Sequence, residues 1–172
     1  MPRTYRRLLL LRHAKSAWPD GVPDHERPLE ERGRRDGAAA GRWLSEAGLR
    51  PDLAVVSSAR RAVETWELVA HGTGGAGDVL VTDQAYAAST GDLLELLRGA
   101  PADAACVLLV GHNPGMERLA DLLDDGQGPE DDRVRMHMKF PTSGLAVLDV
   151  PGEWSALDPQ TARLSAFVVP RG

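Results

Sequence analysis

Two histidines and a pair of arginines stand where strongly apolar runs stop. Leu8-Leu9-Leu10-Leu11 is followed at once by Arg12-His13-Ala14-Lys15-Ser16, and Cys106-Val107-Leu108-Leu109-Val110 by Gly111-His112-Asn113-Pro114-Gly115. A third run, Asp52-Leu53-Ala54-Val55-Val56-Ser57-Ser58, delivers Arg60-Arg61 in the same way. A neutral imidazole is a good nucleophile toward phosphorus when its far nitrogen is held in one tautomer, commonly by a backbone carbonyl. A neighbouring guanidinium orients and neutralises phosphoryl oxygens through paired donors. His13 and Arg12 fit those two parts. Arg61 falls in the first turn of a predicted helix, where free N–H groups and the positive dipole end suit an anion. A basic side chain is unfavourable there unless it meets one. Arg60 reads as solvent-facing. His112 is suited to donate to a phosphoryl oxygen or to move a proton to a leaving group. Taken singly, Arg12-His13 could be a surface pair and His112 a core histidine bonded to backbone. Their shared position at run ends favours one phosphate pocket.

Short apolar runs bounded by turn signals read as buried parallel strands. They are predicted at 8–12, 53–57, 79–82, 106–111, 145–150 and 164–169. Helical patterns alternate with most of them, which predicts an α/β fold with a mainly parallel sheet covered on both faces. In such open sheets, ligands collect beyond the carboxyl ends of the strands. The first helix is expected over about 29–47, with Gly33, Gly37, Ala40, Leu44 and Ala47 on one face allowing close packing on the sheet. Gly48 is its stop. A second begins near Ala59 with Ala62, Trp66 and Val69 on one face. A third follows Ser89, with Asp92 in a capping-box position. A fourth takes Asn113 as N-cap and Pro114 as its first residue. The segments 72–78, rich in glycine, and 124–132, rich in acid, read as loops that could gate the pocket.

The chain has 172 residues, enough for one domain (1–172) with a real core, and 42% of them are hydrophobic. A net charge of −5 argues against a nucleic-acid partner. The lone cysteine, Cys106, excludes an intrachain disulfide and reads as a packing residue in a reducing compartment. The basic start is followed by only four leucines before Arg12, too few for the roughly seven apolar residues of a secretory segment or the about twenty of a membrane span. A cytoplasmic protein with no membrane partner is expected. No metal and no cofactor is expected either. Arg12 and Arg61 would repel a divalent cation, no His-x-x-x-His or clustered carboxylate spacing occurs, and Walker-type loops are absent. His25, His71 and His137 sit at no strand end and read as surface or packing residues.

These motifs resemble those of the histidine phosphatase superfamily, which includes the cofactor-dependent phosphoglycerate mutases. Arg12-His13-Ala14 is similar to its opening Arg-His motif. Arg61-Ala62-Val63-Glu64-Thr65 matches its Arg-Ala-x-x-Thr motif and selects Arg61 over Arg60. Gly111-His112 matches its late histidine. Compact length, Asp24-His25-Glu26-Arg27-Pro28-Leu29 before Arg32-Gly33, and Lys139-Phe140-Pro141-Thr142 before the fifth strand resemble the SixA-type phosphohistidine phosphatases in particular. The resemblance implies a single-domain three-layer α/β/α sandwich of phosphoglycerate mutase type. It also implies that Arg27 reaches the phosphate or substrate; a salt bridge at the start of the first helix is the alternative. One departure matters. Larger members carry an acidic proton donor after the third strand, whereas 82–89 here is short, with Asp83 its one carboxylate and a turn residue by habit.

The resulting expectation is two-step phosphoryl transfer without metal. His13 attacks phosphorus, Arg12, Arg61 and His112 hold the oxygens, and water hydrolyses the phosphohistidine. A phosphorylated imidazole leaves with less acid help than an alkoxide, so the missing acid fits a phosphohistidine-bearing protein as substrate. Competing readings are a phosphomonoesterase acting on a small phosphorylated metabolite, a non-catalytic module that binds phosphate or phosphohistidine, and a metal-dependent hydrolase using His13 and His112.

Overall fold

A computed structural model describes residues 5–172. In chain order it contains β1 (Arg6–Arg12), α1 (Glu31–Glu46), β2 (Leu53–Ser57), α2 (Arg60–Thr73), β3 (Asp78–Thr82), α3 (Thr90–Arg98), β4 (Cys106–Gly111), α4 (Gly115–Leu123), α5 (Glu130–Met138), β5 (Leu145–Val150) and β6 (Arg163–Val168). The strands form one sheet in the order β3-β2-β4-β1-β5-β6. The first four strands are parallel; β5 runs antiparallel beside β1, and β6 antiparallel beside β5.

The apolar runs are continuous because both faces of the sheet are covered. In β1 the side chains alternate between two cores. Leu8 and Leu10 pack with α3, α4 and α5, whereas Leu9 and Leu11 pack with α1 and α2. Cys106 is buried in the second of these cores. This is the expected three-layer α/β/α sandwich.

Local details differ from expectation in four places. The small-residue face of α1 approaches α2 and the loop after β1 rather than the sheet alone. A Cβ at Gly33 would lie 2.0 Å from the Lys15 carbonyl oxygen, one at Gly37 2.9 Å from Leu68 Cδ1, and one at Gly41 3.0 Å from the Leu68 carbonyl oxygen. Ala40 and Leu44 do join the core against the sheet. Helix α4 starts one residue later than its capping signal implies. Pro114 takes the cap position after a cis Asn113–Pro114 bond, and the Asn113 side chain accepts the Glu117 N–H at 3.2 Å. The acidic segment turns helical at Glu130, because Glu130, Asp131 and Asp132 occupy the first turn of α5, where the dipole favours them. Finally, 72–78 and 124–132 do not border the carboxyl-end crevice. The first leads into the amino end of β3, and Asp125 shares a cavity with Tyr5 at the amino end of β1. Neither loop is placed to gate a site at the other end of the sheet.

Gly33→Ala would force a side-chain carbon into the Lys15 carbonyl, two residues past His13. It is expected to lower the unfolding free energy by about 1–3 kcal/mol and to weaken binding of inorganic phosphate. Chemical denaturation and a phosphate titration check this; wild-type values in both would contradict it.

Candidate active site

The site begins with strand register. Arg12 of β1 is the partner of Gly111 of β4, and the His13 N–H donates to the Gly111 carbonyl at 3.0 Å. The residues that follow each strand are therefore neighbours, and the His13 and His112 rings lie 5.0 Å apart between centroids. Strand β2 flanks β4 on the other side, and its last residue, Ser57, places its hydroxyl oxygen 2.7 Å from His112 Nε2. One helical turn later in chain, α2 contributes Arg61.

His13 is buried, with Nδ1 2.7 Å from the Ala14 carbonyl oxygen. A carbonyl only accepts, so the ring proton sits on Nδ1 and the lone pair on Nε2. Burial pushes the His13 imidazole down to about 3, helped by His112, Arg61 and Arg12 and opposed by the Ala14 bond. The ring is neutral at ordinary pH. Thr65 braces this turn, since its hydroxyl accepts the Ala14 N–H at 3.0 Å and donates to the Arg61 carbonyl at 2.7 Å. The threonine of the Arg-Ala-x-x-Thr motif thus ties the loop bearing His13 to the helix bearing Arg61.

His112 is pushed down to about 4, by burial first and then by Arg61. The Ser57 hydroxyl accepts the Ala59 N–H at 3.3 Å, which leaves its own proton for His112 Nε2. With that proton donated to Nε2, the His112 ring proton lies on Nδ1, a buried atom with no protein partner among the described residues.

Three guanidiniums surround the same cavity of about 230 Å³, together with His13 and His112. Arg12 donates to the Phe140 carbonyl at 3.1 Å, and burial lowers its pKa from the usual value. Arg61 donates to the Asp24 carbonyl at 2.7 Å and to Asp24 Oδ2 at 3.1 Å. The Nε atoms of Arg12 and Arg61 are buried without partners among the described residues. Arg27, buried, donates to Asp24 Oδ1 at 2.9 Å, to the Ala17 carbonyl at 3.1 Å and to the Ser16 hydroxyl. Its guanidinium carbon lies 3.3 Å from the ring centroid of the exposed Trp18. Buried charges of one sign with idle donors are costly unless an anion meets them. The arrangement is therefore suited to a tetrahedral oxyanion.

All five residues singled out from the sequence, Arg12, His13, Arg27, Arg61 and His112, thus come together. Arg27 both lines the cavity and pairs with a carboxylate, and that partner, Asp24, belongs to the short 3₁₀ turn Asp24–Glu26, not to α1. Arg60 faces solvent and pairs with Glu64 at 2.7 Å. Sequence reasoning missed Asp24 and Tyr86. The Tyr86 hydroxyl donates to Asp24 Oδ2 at 2.6 Å, and Tyr86, Arg61 and Arg27 hold the Asp24 carboxyl well below the usual carboxylate range. The signal available was Asp24 three residues before Arg27. The 82–89 stretch brings a tyrosine to the site rather than an acid. His25 is closer to the site than expected, its ring edge-on to Tyr86 at 4.8 Å and its Nε2 2.9 Å from the Ser58 hydroxyl. His137 ties α5 to α4 through Asp121 at 2.8 Å and Asp124 at 2.9 Å, and His71 is exposed.

Comparison with known proteins gives the chain's relatives. The family profile of the histidine phosphatase superfamily (branch 1) matches residues 8–92. An uncharacterized protein of Mycobacterium tuberculosis is 40% identical over 94% of this chain and 100% of its own length. A candidate phosphohistidine phosphatase SixA from Nakamurella multipartitia has a similar structure, with TM-score 0.82, 31% identity and 99% of each chain covered. Another, from Agrobacterium tumefaciens, gives TM-score 0.79 and 33% identity over 96% of this chain and 98% of that one. With its arginine- and histidine-lined cavity at the strand ends and these relatives along nearly its whole length, the chain belongs to the histidine phosphatase superfamily, in its SixA-type branch, and is a phosphatase.

Proposed function

We propose that the protein hydrolyses phosphohistidine on a protein substrate, without metal, through a phosphohistidine intermediate on His13. The observation that carries this is the His13 Nδ1 contact with the Ala14 carbonyl, which leaves Nε2 as a lone-pair donor beside three guanidiniums. Nε2 forms the new bond to phosphorus while the bond to the leaving nitrogen breaks. Arg12, Arg27 and Arg61 hold the oxygens, and His112 donates from Nδ1 as their charge redistributes. Water then attacks phosphorus, and the electron pair of the P–N bond returns to Nε2. No acid is needed for this second departure, because the His13 ring already carries its proton on Nδ1.

The substrate class rests on the leaving group. An alkoxide needs a proton as it departs, and Asp24, the carboxylate that touches the site, is held ionised by Tyr86 and two arginines. An imidazole protonated on its far nitrogen leaves without that help. The adjoining cavity of about 460 Å³ has room for a sugar, so a small phosphorylated metabolite is the competing substrate. The positive charge that a metal would supply comes from guanidiniums, and among the described residues no group of three His, Cys, Asp or Glu side chains is arranged to hold a metal ion. The reading carries a cytoplasmic location with it.

Acid-quenched reaction with a ³²P-labelled aryl phosphate should trap label on the wild-type protein and none on His13→Ala; undiminished labelling of that variant would remove the nucleophile assignment. Arg61→Ala should lower kcat/KM by roughly a hundredfold or more and weaken phosphate binding. Turnover should be unchanged by a chelator, and loss that a divalent cation restores would replace this mechanism with a metal-dependent one. A panel of phosphohistidine protein, phosphoserine peptide and sugar phosphates decides the substrate.

The two depressed histidines also set a pH dependence of stability. Their folded values, about 3 for His13 and about 4 for His112, lie below the ordinary 6.5, so the unfolded chain binds more protons between those limits. Their joint contribution to stability is therefore constant above the ordinary value and falls as the pH drops below it. NMR titration should show the His13 ring still neutral near pH 5; a midpoint near the ordinary histidine value would contradict the burial argument.

A further inference from the structure

The cavity that holds the arginines adjoins a second one, about 460 Å³ in volume, and Arg61, His112 and Asn113 line both. A phosphoryl group held by Arg61 and His112 therefore sits at their junction. The His112 ring lies 5.0 Å from that of His13, on the side of the first cavity, and 5.7 Å from that of Tyr86, on the side of the second. In-line displacement puts the leaving group opposite the nucleophile. With His13 on the first side, the leaving group enters the second cavity, where Asp24 and Tyr86 stand.

An ionised carboxylate has about four acceptor positions, two on each oxygen. Asp24 Oδ2 uses both of its own, on Arg61 at 3.1 Å and Tyr86 at 2.6 Å. Oδ1 uses one, on Arg27 at 2.9 Å. The side chain is 49% exposed, so the remaining position of Oδ1 is open to a ligand. Among the described residues Asp24 is the one carboxylate bordering the second cavity, and beyond Arg61 no other cation among them lines it to receive an anionic leaving group. A donor is what this wall can recognise.

We propose that Asp24 is the leaving-group residue of the site, its Oδ1 accepting the N–H of the far ring nitrogen of a phosphorylated imidazole and so selecting phosphoramidates of that kind over phosphate esters. The assignment rests on the phosphoryl-transfer reading above. The negative charge favours the protonated ring, the form in which the P–N bond breaks readily. When His13 Nε2 bonds to phosphorus, the electron pair of the breaking P–N bond stays on the substrate nitrogen. The product is a neutral imidazole that keeps its proton on the far nitrogen, still bonded to Asp24. The phosphoryl group is now on His13, whose Nδ1 keeps its own proton on the Ala14 carbonyl. No proton crosses the site in this step. Asp24 acts by accepting a hydrogen bond and not as a general acid.

The test compares leaving groups that share one phosphoryl group. Wild-type enzyme is assayed on N-phosphorylimidazole, on its N′-methyl analogue, which lacks the N–H, and on p-nitrophenyl phosphate. Each rate is divided by its rate in buffer, and label on His13 is measured in parallel. The N–H substrate should exceed the methylated one by about tenfold or more, as for a hydrogen bond to a charged group. In Asp24→Asn, kcat/KM for N-phosphorylimidazole should fall about tenfold further than for p-nitrophenyl phosphate. A residue that only positions the arginines would lower both together, because the phosphoryl group is the same. Equal treatment of the N–H and N-methyl substrates by the wild type, or a parallel loss on both substrates in Asp24→Asn, overturns the assignment while labelled His13 keeps the phosphoryl-transfer reading intact. The wild-type comparison decides even if the variant fails to fold. Absence of label with every substrate overturns both readings.

Discussion

The site depends on one register. Because Arg12 of β1 pairs with Gly111 of β4, the two strands end level, and the His13 N–H closes on the Gly111 carbonyl at 3.0 Å. A slip of one residue would turn His13 to the other face of the sheet. It would also exchange the leucines of β1 between two different cores, so hydrophobic packing on both faces enforces the alignment. Burial of Leu8, Leu9, Leu10 and Leu11 is thus the force that holds two imidazoles 5.0 Å apart.

Electrostatics then sets what the paired rings can do. Three guanidiniums border one small cavity, and the carboxylate of Asp24 answers two of them. The loss of water, and after it the same positive field, keeps both histidines neutral. For His13 neutrality preserves a lone pair, and for His112 it leaves one proton to donate. The Ala14 carbonyl, which only accepts, selects the nitrogen that carries the proton in His13, and the Ser57 hydroxyl stands where it can donate to His112 Nε2. A site with positive charge in excess and neutral imidazoles is stable enough to fold while remaining incomplete without an anion.

Much of this was legible in the linear chain. All six strands lie within a residue or two of their predicted limits, since continuous apolar runs have few other uses in a chain of this composition. Arg12, His13 and His112 were legible because each stands at the end of such a run, and Arg61 because the first turn after a third run carries it and the resemblance selects it over Arg60. Helix α5 was not, because its acidic first turn reads as loop until the dipole that welcomes those charges is considered. Arg27 stayed ambiguous because the turn carrying it lies far in sequence from α2, and only the folded chain brings Asp24 between Arg27 and Arg61.

What the sequence determined by itself is the set of strands and the cationic and imidazole side chains that stand at or just beyond their ends, because those follow from local patterns of burial and charge. Tertiary structure decided the surroundings of Asp24. Asp24 and Tyr86 are 62 positions apart, and their 2.6 Å contact carries no local signature. It also decided that the two polar loops sit at the amino end of the sheet, away from the chemistry. Contacts between distant segments are set by how layers pack, and that information resides in the three-dimensional arrangement of the whole core.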